Sequence, residues 1–174
     1  KWLPQGSRER IFDEEKRFKE YLMTDTHPYK NLILIELYTG MRLGETLVLD
    51  ISDIDIKSDT IRVSKILTHD ENHKPYIHDS ALSQTKDGAR LVQINDAFKN
   101  NVIEAIKIAE TNENNKEKLL FCQDNGSLIL ESSVNSYLKR VAKEIGLSYW
   151  KQFSSHRLRH TFATRCIEAG MKPK

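Results

Sequence analysis

Near the C-terminal end of this 174-residue chain, the stretch SSHRLRH (Ser154–His160) opens a helix with two arginines and two histidines. A helix N-terminus carries partial positive charge, so acids are the usual residues there. Cations cost roughly a few tenths of a kcal/mol or more unless an anion joins them. His156 and Arg159 lie one turn apart and share a face, beside backbone amides with no helical partner, whereas Arg157 points elsewhere. That grouping is a site for phosphate. His156 and His160 also have the i, i+4 spacing of a zinc-binding pair. Arg157 replaces the glutamate of a zincin helix, however, and the flanking cations repel a divalent metal, so no metal is expected. A buried structural histidine is the simpler reading of His160.

Two further places could carry chemistry. In YTGMRLGET, Arg42 stands three residues before Glu45 and just after Gly40, at a junction between two apolar helices. Packing there can fix the guanidinium so that its fork meets a phosphate bidentately, with Glu45 holding it one turn on. A local Arg–Glu pair that only stitches two helices is the alternative. Lys86, in the turn Lys86-Asp87-Gly88, is either a solubilising residue at a hairpin tip or a mobile ammonium serving as general acid or phosphate contact. His69, His73 and His78 fit no metal spacing, and the polar residues among them indicate an exposed loop.

The elements that must position these groups can be placed from periodicity and breakers. Residues 1–10 read as a linker tail and residues 11–174 as one domain. A helix opens at Phe12-Asp13-Glu14-Glu15 and runs to about Met23. Pro28 starts a second, mostly buried helix, NLILIELY, which Gly40 ends. A short helix covers Leu43–Leu49. TIRVSKILT (Thr60–Thr68) reads as a strand, and YIHDSALSQT and ARLVQI as the two arms of a hairpin around Lys86-Asp87-Gly88. Further helices span Asp96 to about Glu110, Ser132 to Ile145, and Ser155 to Gly170. The fold class is α+β, mainly α, with a small three-stranded antiparallel sheet.

Composition limits the function. The net charge of +2 hides nine Lys/Arg against two Glu between Val134 and Lys174, a segment charge of +7 that leaves −5 for the rest. Such a basic block suits either a polyanionic partner or a solvated helix face. No apolar run approaches the roughly 20 residues of a membrane helix. The two cysteines, Cys122 and Cys166, form no metal spacing and no disulfide framework, so a reducing cytoplasm is expected. The chain begins at Lys1 with neither initiator methionine nor signal peptide, which suggests a piece of a longer protein.

Taken together, these segments resemble the catalytic domain of the tyrosine recombinases, the phage- and transposon-integrase family. TGMRLGE resembles the family's first arginine box, SQTKDGARLVQI its lysine hairpin and SHRLRHTFAT its His-x-x-Arg box. The resemblance implies site-specific DNA recombination through a 3′-phosphotyrosyl intermediate, with no cofactor. It makes Arg42, Lys86, His156 and Arg159 catalytic and Glu45 a supporting acid, with Lys65 a weaker competitor for the lysine role. Arg140, Lys143 and Arg157 are expected to grip the DNA backbone. The partner implied is double-stranded DNA, on which the intact protein assembles as a tetramer in the cytoplasm of a prokaryotic cell, bound at the nucleoid. This fragment is expected to be monomeric and inactive. All six tyrosines precede His156, so the nucleophile is not expected among these residues, and the family's N-terminal DNA-clamping domain is expected to lie outside them. A catalytically inactive DNA-binding module of recombinase descent is the alternative.

Overall fold

The run NLILIELY is apolar on every side, and a helix of that kind must lie inside the protein. In the computed structural model, which describes residues 5–79 and 89–171, it forms helix α2 (Lys30–Thr39), with Leu32, Ile33 and Ile35 wholly buried. Around α2 pack α1 (Gln5–Thr24), the short α3 (Leu43–Thr46), α4 (Lys99–Thr111) and α6 (Ser155–Glu168). Helix α5 (Glu131–Glu144) closes the layer with a stripe of Val134, Tyr137, Leu138, Val141 and Ala142, the spacing of one buried helical face.

Helix α1 starts at Gln5, earlier than the sequence reading placed it. Arg8, Glu9 and Arg10 are good helix formers, and i, i+4 ion pairs follow along the same helix: Asp13–Arg17, Glu15–Lys19 and Lys16–Glu20. Long-range bonds then tie α1 and the residue just after it to the C-terminal half. Tyr21 donates to Glu144, Tyr137 to Asp25 and Tyr149 to Glu14, while Arg165 pairs with Glu15 at 2.7 Å. Helix α4 begins at Lys99 rather than Asp96, because Asn95 first forms a turn in which its side chain accepts from the Ala97 N–H.

The strands depart further from expectation. TIRVSKILT is two strands, β2 (Thr60–Val63) and β3 (Lys65–His69), which enter different sheets. Val63 and Ser64 are both buried, which breaks the inside–outside alternation and turns the chain. Strand β2 is the centre of the expected three-stranded antiparallel sheet, between β1 (Ile54–Asp55) and β5 (Arg90–Gln93), with Ile61 opposite Val92. Strand β3 pairs instead with β4 (Pro75–Asp79), Leu67 opposite Ile77. The polar stretch between them is a tight turn, where the Asp70 carboxylate accepts from the Asn72 and Lys74 N–H groups. The expected pairing of the YIHDSALSQT and ARLVQI arms is therefore replaced among the described residues by β3–β4 and β2–β5. His69, His73 and His78 are exposed, two of them on strands. No helix among the described residues is long and apolar enough to cross a membrane.

Candidate active site

The first arginine is placed by the way α2 ends. Gly40 takes a left-handed conformation (φ 64°) and donates its N–H to the Glu36 carbonyl. Met41 then buries completely, and Arg42 opens α3. Glu45, one turn on, is 4% exposed and accepts four N–H bonds. Its Oε2 takes the Arg42 backbone N–H at 2.8 Å and Arg90 Nη2 at 2.7 Å; its Oε1 takes Arg90 Nη1 at 2.9 Å and Arg42 Nη1 at 3.3 Å. Burial pushes this carboxyl up, but the bonds from Arg90 and Arg42 and their charges outweigh it and hold it below the usual range. Glu45 thus accepts from both the backbone and the side chain of Arg42. Arg90 on β5 shares that carboxylate, and sequence reading missed it because its partner lies 45 residues away.

The second arginine arrives on α6. Ser155 at its start donates its N–H to Asn135 Oδ1 at 3.0 Å and its hydroxyl to Glu36. Arg159 donates to the carbonyl of Gly40, two residues before Arg42. The ring of Phe162 lies where a side chain on Gly40 would stand. The two arginine boxes thus close on one turn of backbone. His156 is exposed on the same first turn, its Nε2 2.8 Å from Nε2 of His160. His160 is itself exposed, which corrects the reading of it as a buried structural residue: Leu158 fills the core position of this turn. Arg157 does point elsewhere, stacking 4.1 Å from the Tyr149 ring centroid.

The carboxyl missed at the mouth of α6 is Glu36. It is wholly buried beneath Ser155 with Oε2 unpartnered, and burial drives it up to about 7, partly offset by the Ser155 bond. Below that pH it is neutral, so it leaves the positive potential of the arginines intact. A lone acid in an apolar run was the signal in the sequence. The folded carboxyl keeps its proton to about pH 7, whereas an unperturbed one loses it near 4.5. Across that window the folded state binds more protons, so stability falls as pH rises and the loss is complete above about pH 7. Glu36→Gln is expected to raise the Tm most at pH 8 and hardly at all near pH 4. A gain of equal size at both would disprove the burial account.

Lys86 lies outside the described residues. Its competitor Lys65 is committed elsewhere: Nζ pairs with Asp50 and, at 2.8 Å, with the fully buried Asp53 carboxylate. Burial alone would lower this lysine, but the bonds it donates to both aspartates raise it and hold its proton. Arg140 and Lys143 are exposed on α5 over the rings of Tyr137 and Trp150. They lie roughly 14–18 Å along the helix axis from Glu131, whose carboxylate approaches Gly44 beside Arg42. With Lys151, also over Trp150, they form a basic and aromatic patch apart from the arginine pair.

A family model described as the phage integrase family matches residues 1–174. The chain belongs to the phage integrase family. Relatives in this family include a XerC-like tyrosine recombinase of Caldanaerobacter subterraneus subsp. tengcongensis, 29% identical over 95% of this chain and 45% of its own length. The transposase of transposon Tn916 from Enterococcus faecalis is 27% identical over 93% and 42%. This phage-integrase chain therefore spans less than half the length of those relatives. Among solved structures, the integrase of transposon Tn1549 in complex with a circular intermediate DNA superposes with a TM-score of 0.75 at 26% identity, over 91% of this chain and 52% of that one. The XerA recombinase, at 24% identity and a TM-score of 0.69, shares the fold.

Proposed function

We propose that this chain is the catalytic part of a site-specific DNA recombinase that cleaves and rejoins strands through a 3′-phosphotyrosyl intermediate. The observation that carries the proposal is the bond from Arg159 to the Gly40 carbonyl, across 119 residues of sequence, which puts Arg159 beside the turn that carries Arg42. A guanidinium on that turn and a second bonded to its backbone suit a phosphodiester, whose non-bridging oxygens gain negative charge in the transition state. They supply fixed donors where many nucleases use a metal ion. Glu45 holds Arg42, and His156 hydrogen-bonds the phosphate or helps take the proton of the attacking tyrosine. As the P–O bond to the 5′-oxygen breaks, Lys86 protonates that oxygen. A 5′-hydroxyl then attacks the phosphotyrosine, releasing the tyrosine and forming the new strand. The bond energy stays in the covalent intermediate, so no ATP is consumed.

The nucleophile is not among these residues. No tyrosine follows His156 in the chain. Burial raises the pKa of Tyr137 and Tyr149, and the carboxylate to which each of Tyr21, Tyr137 and Tyr149 donates raises all three, the opposite of an activated nucleophile. Arg140, Lys143 and Arg157 grip the DNA backbone, which positions a duplex without reading its sequence. The assembly proposed on DNA is a tetramer.

The test is covalent trapping. The full-length protein, incubated with a nicked duplex carrying its own site, is expected to yield a protein–DNA adduct on a denaturing gel, and the 174-residue chain none. An adduct from the short chain refutes the assignment of the nucleophile, and none from the full-length protein supports an inactive DNA-binding module. Duplex affinity of the short chain is expected to be weak and salt-dependent, log affinity falling with log salt by about 0.9 for each phosphate neutralised. A flat response argues against a phosphate-tracking surface.

A further inference from the structure

Glu45 is the buried anion of the site, and a carboxylate offers about four lone-pair positions. Arg90 takes two of them at 2.7 and 2.9 Å with its planar fork, the backbone N–H of Arg42 takes a third, and the Arg42 side chain makes the longest of these four contacts, 3.3 Å. The bidentate fork is the strong form of this pair. Arg90 is itself fixed by strand β5, opposite Val63 of the central strand β2. If Arg90 were missing, the buried carboxylate would keep Arg42 as its principal cation, and the Arg42 guanidinium would turn inward to complete the fork.

We propose that Arg90 is a positioning residue: by occupying the bidentate face of Glu45 it keeps the Arg42 guanidinium directed at the phosphate. The proposal rests on the reading of Arg42 as a phosphate ligand. Arg90 also balances the charge of Glu45, so the cluster of two arginines and one glutamate keeps a net positive charge.

The test is single-turnover cleavage of the nicked duplex by the full-length protein, with DNA affinity measured alongside. Arg90→Lys keeps the compensating charge but loses the fork, and cleavage is expected to slow by about 10- to 100-fold, as displacing a reacting group by about 1 Å does. Affinity is expected to stay within about threefold, because the grip on the backbone is spread over other cations. Arg90→Met is expected to be slower still, and adding Glu45→Gln should recover about tenfold, because no carboxylate then competes for Arg42; such coupling marks groups acting on one another. A purely structural Arg90 would not be rescued by a second change in its own partner.

Cleavage at the wild-type rate by Arg90→Lys overturns the proposal, as does a double variant no faster than Arg90→Met. An Arg90→Lys that loses affinity and flattens the salt dependence makes Arg90 a direct phosphate contact instead. Arg42→Ala, run in parallel, separates the two readings. Only when Arg42→Ala fails to cleave does a normal Arg90→Lys count against Arg90 alone; if Arg42→Ala cleaves normally, the assignment of Arg42 and the role of Arg90 both fall.

Discussion

Arg159→Ala and Arg42→Ala, each in the full-length protein, are expected to slow formation of the covalent DNA adduct by roughly 100- to 1,000-fold, the usual loss when one fixed donor to a developing oxyanion is removed. Each arginine is placed from within the protein, Arg159 by the Gly40 carbonyl and Arg42 by the turn into α3, where its backbone N–H donates to Glu45. Their orientation therefore costs little at the moment of reaction, when the phosphate charge develops. Arg42→Lys should recover little, because a point-like ammonium cannot reproduce a planar fork. Duplex affinity should change far less than the rate, since in the proposed function the DNA backbone is gripped at many other points. A substrate with sulfur in place of the 5′-bridging oxygen separates the arginines from the lysine. A thiolate leaves without a proton, so the sulfur should restore much of the rate to Lys86→Ala and little to either arginine variant. Rescue of the arginine variants by sulfur would mean that they assist the leaving group rather than the non-bridging oxygens.

Gly40→Ala is expected to be the most destabilising small substitution near the site. The backbone there has φ +64°, where a residue with a Cβ is strained by roughly 1–2 kcal/mol. The added carbon would also stand 2.2 Å from Cδ1 of Phe162, far inside contact distance. Overpacking of that kind typically costs about 1–3 kcal/mol. The two costs together predict a loss of about 2–5 kcal/mol in the free energy of unfolding, read from denaturant titration. Combining Gly40→Ala with Phe162→Ala removes the clash and leaves the backbone strain, so the combined loss should be smaller than the sum of the two single losses. Simple additivity would show that the ring moves aside at no cost. The same glycine carries the carbonyl that receives Arg159, so Gly40→Ala should also slow cleavage in whatever fraction remains folded.

Much of this protein is legible in its sequence because the signals are local. A left-handed glycine after an apolar helix, arginine and glutamate three residues apart, and a histidine and arginine one turn apart need no knowledge of the rest of the chain. Helices α2, α5 and α6 lie close to where caps, breakers and period placed them, since burial of one face has a visible spacing. The start of α1 was misplaced because a charged helix stabilised by i, i+4 pairs looks like a solvated tail. Local pattern also singled out the stretches that hold Arg42, Glu45, His156 and Arg159, and their resemblance to the family's boxes made the family legible.

Tertiary structure decided what each of those residues touches. Strand partners are not written in a strand's own residues: TIRVSKILT carries β propensity throughout, yet only the burial of Val63 and Ser64 together sends its halves to different sheets. Arg90 left no mark in the sequence and Glu36 only that of a lone acid in an apolar run, because what they bond lies 45 and 119 residues away. His160, which looked internal, is exposed because the helix phase that aims Arg159 at Gly40 gives the core position to Leu158. The side-chain types that can bind a phosphate are a property of the sequence. Which oxygen each guanidinium meets, and from which direction, is set by packing, because a fork has one productive orientation and only fixed neighbours can hold it there.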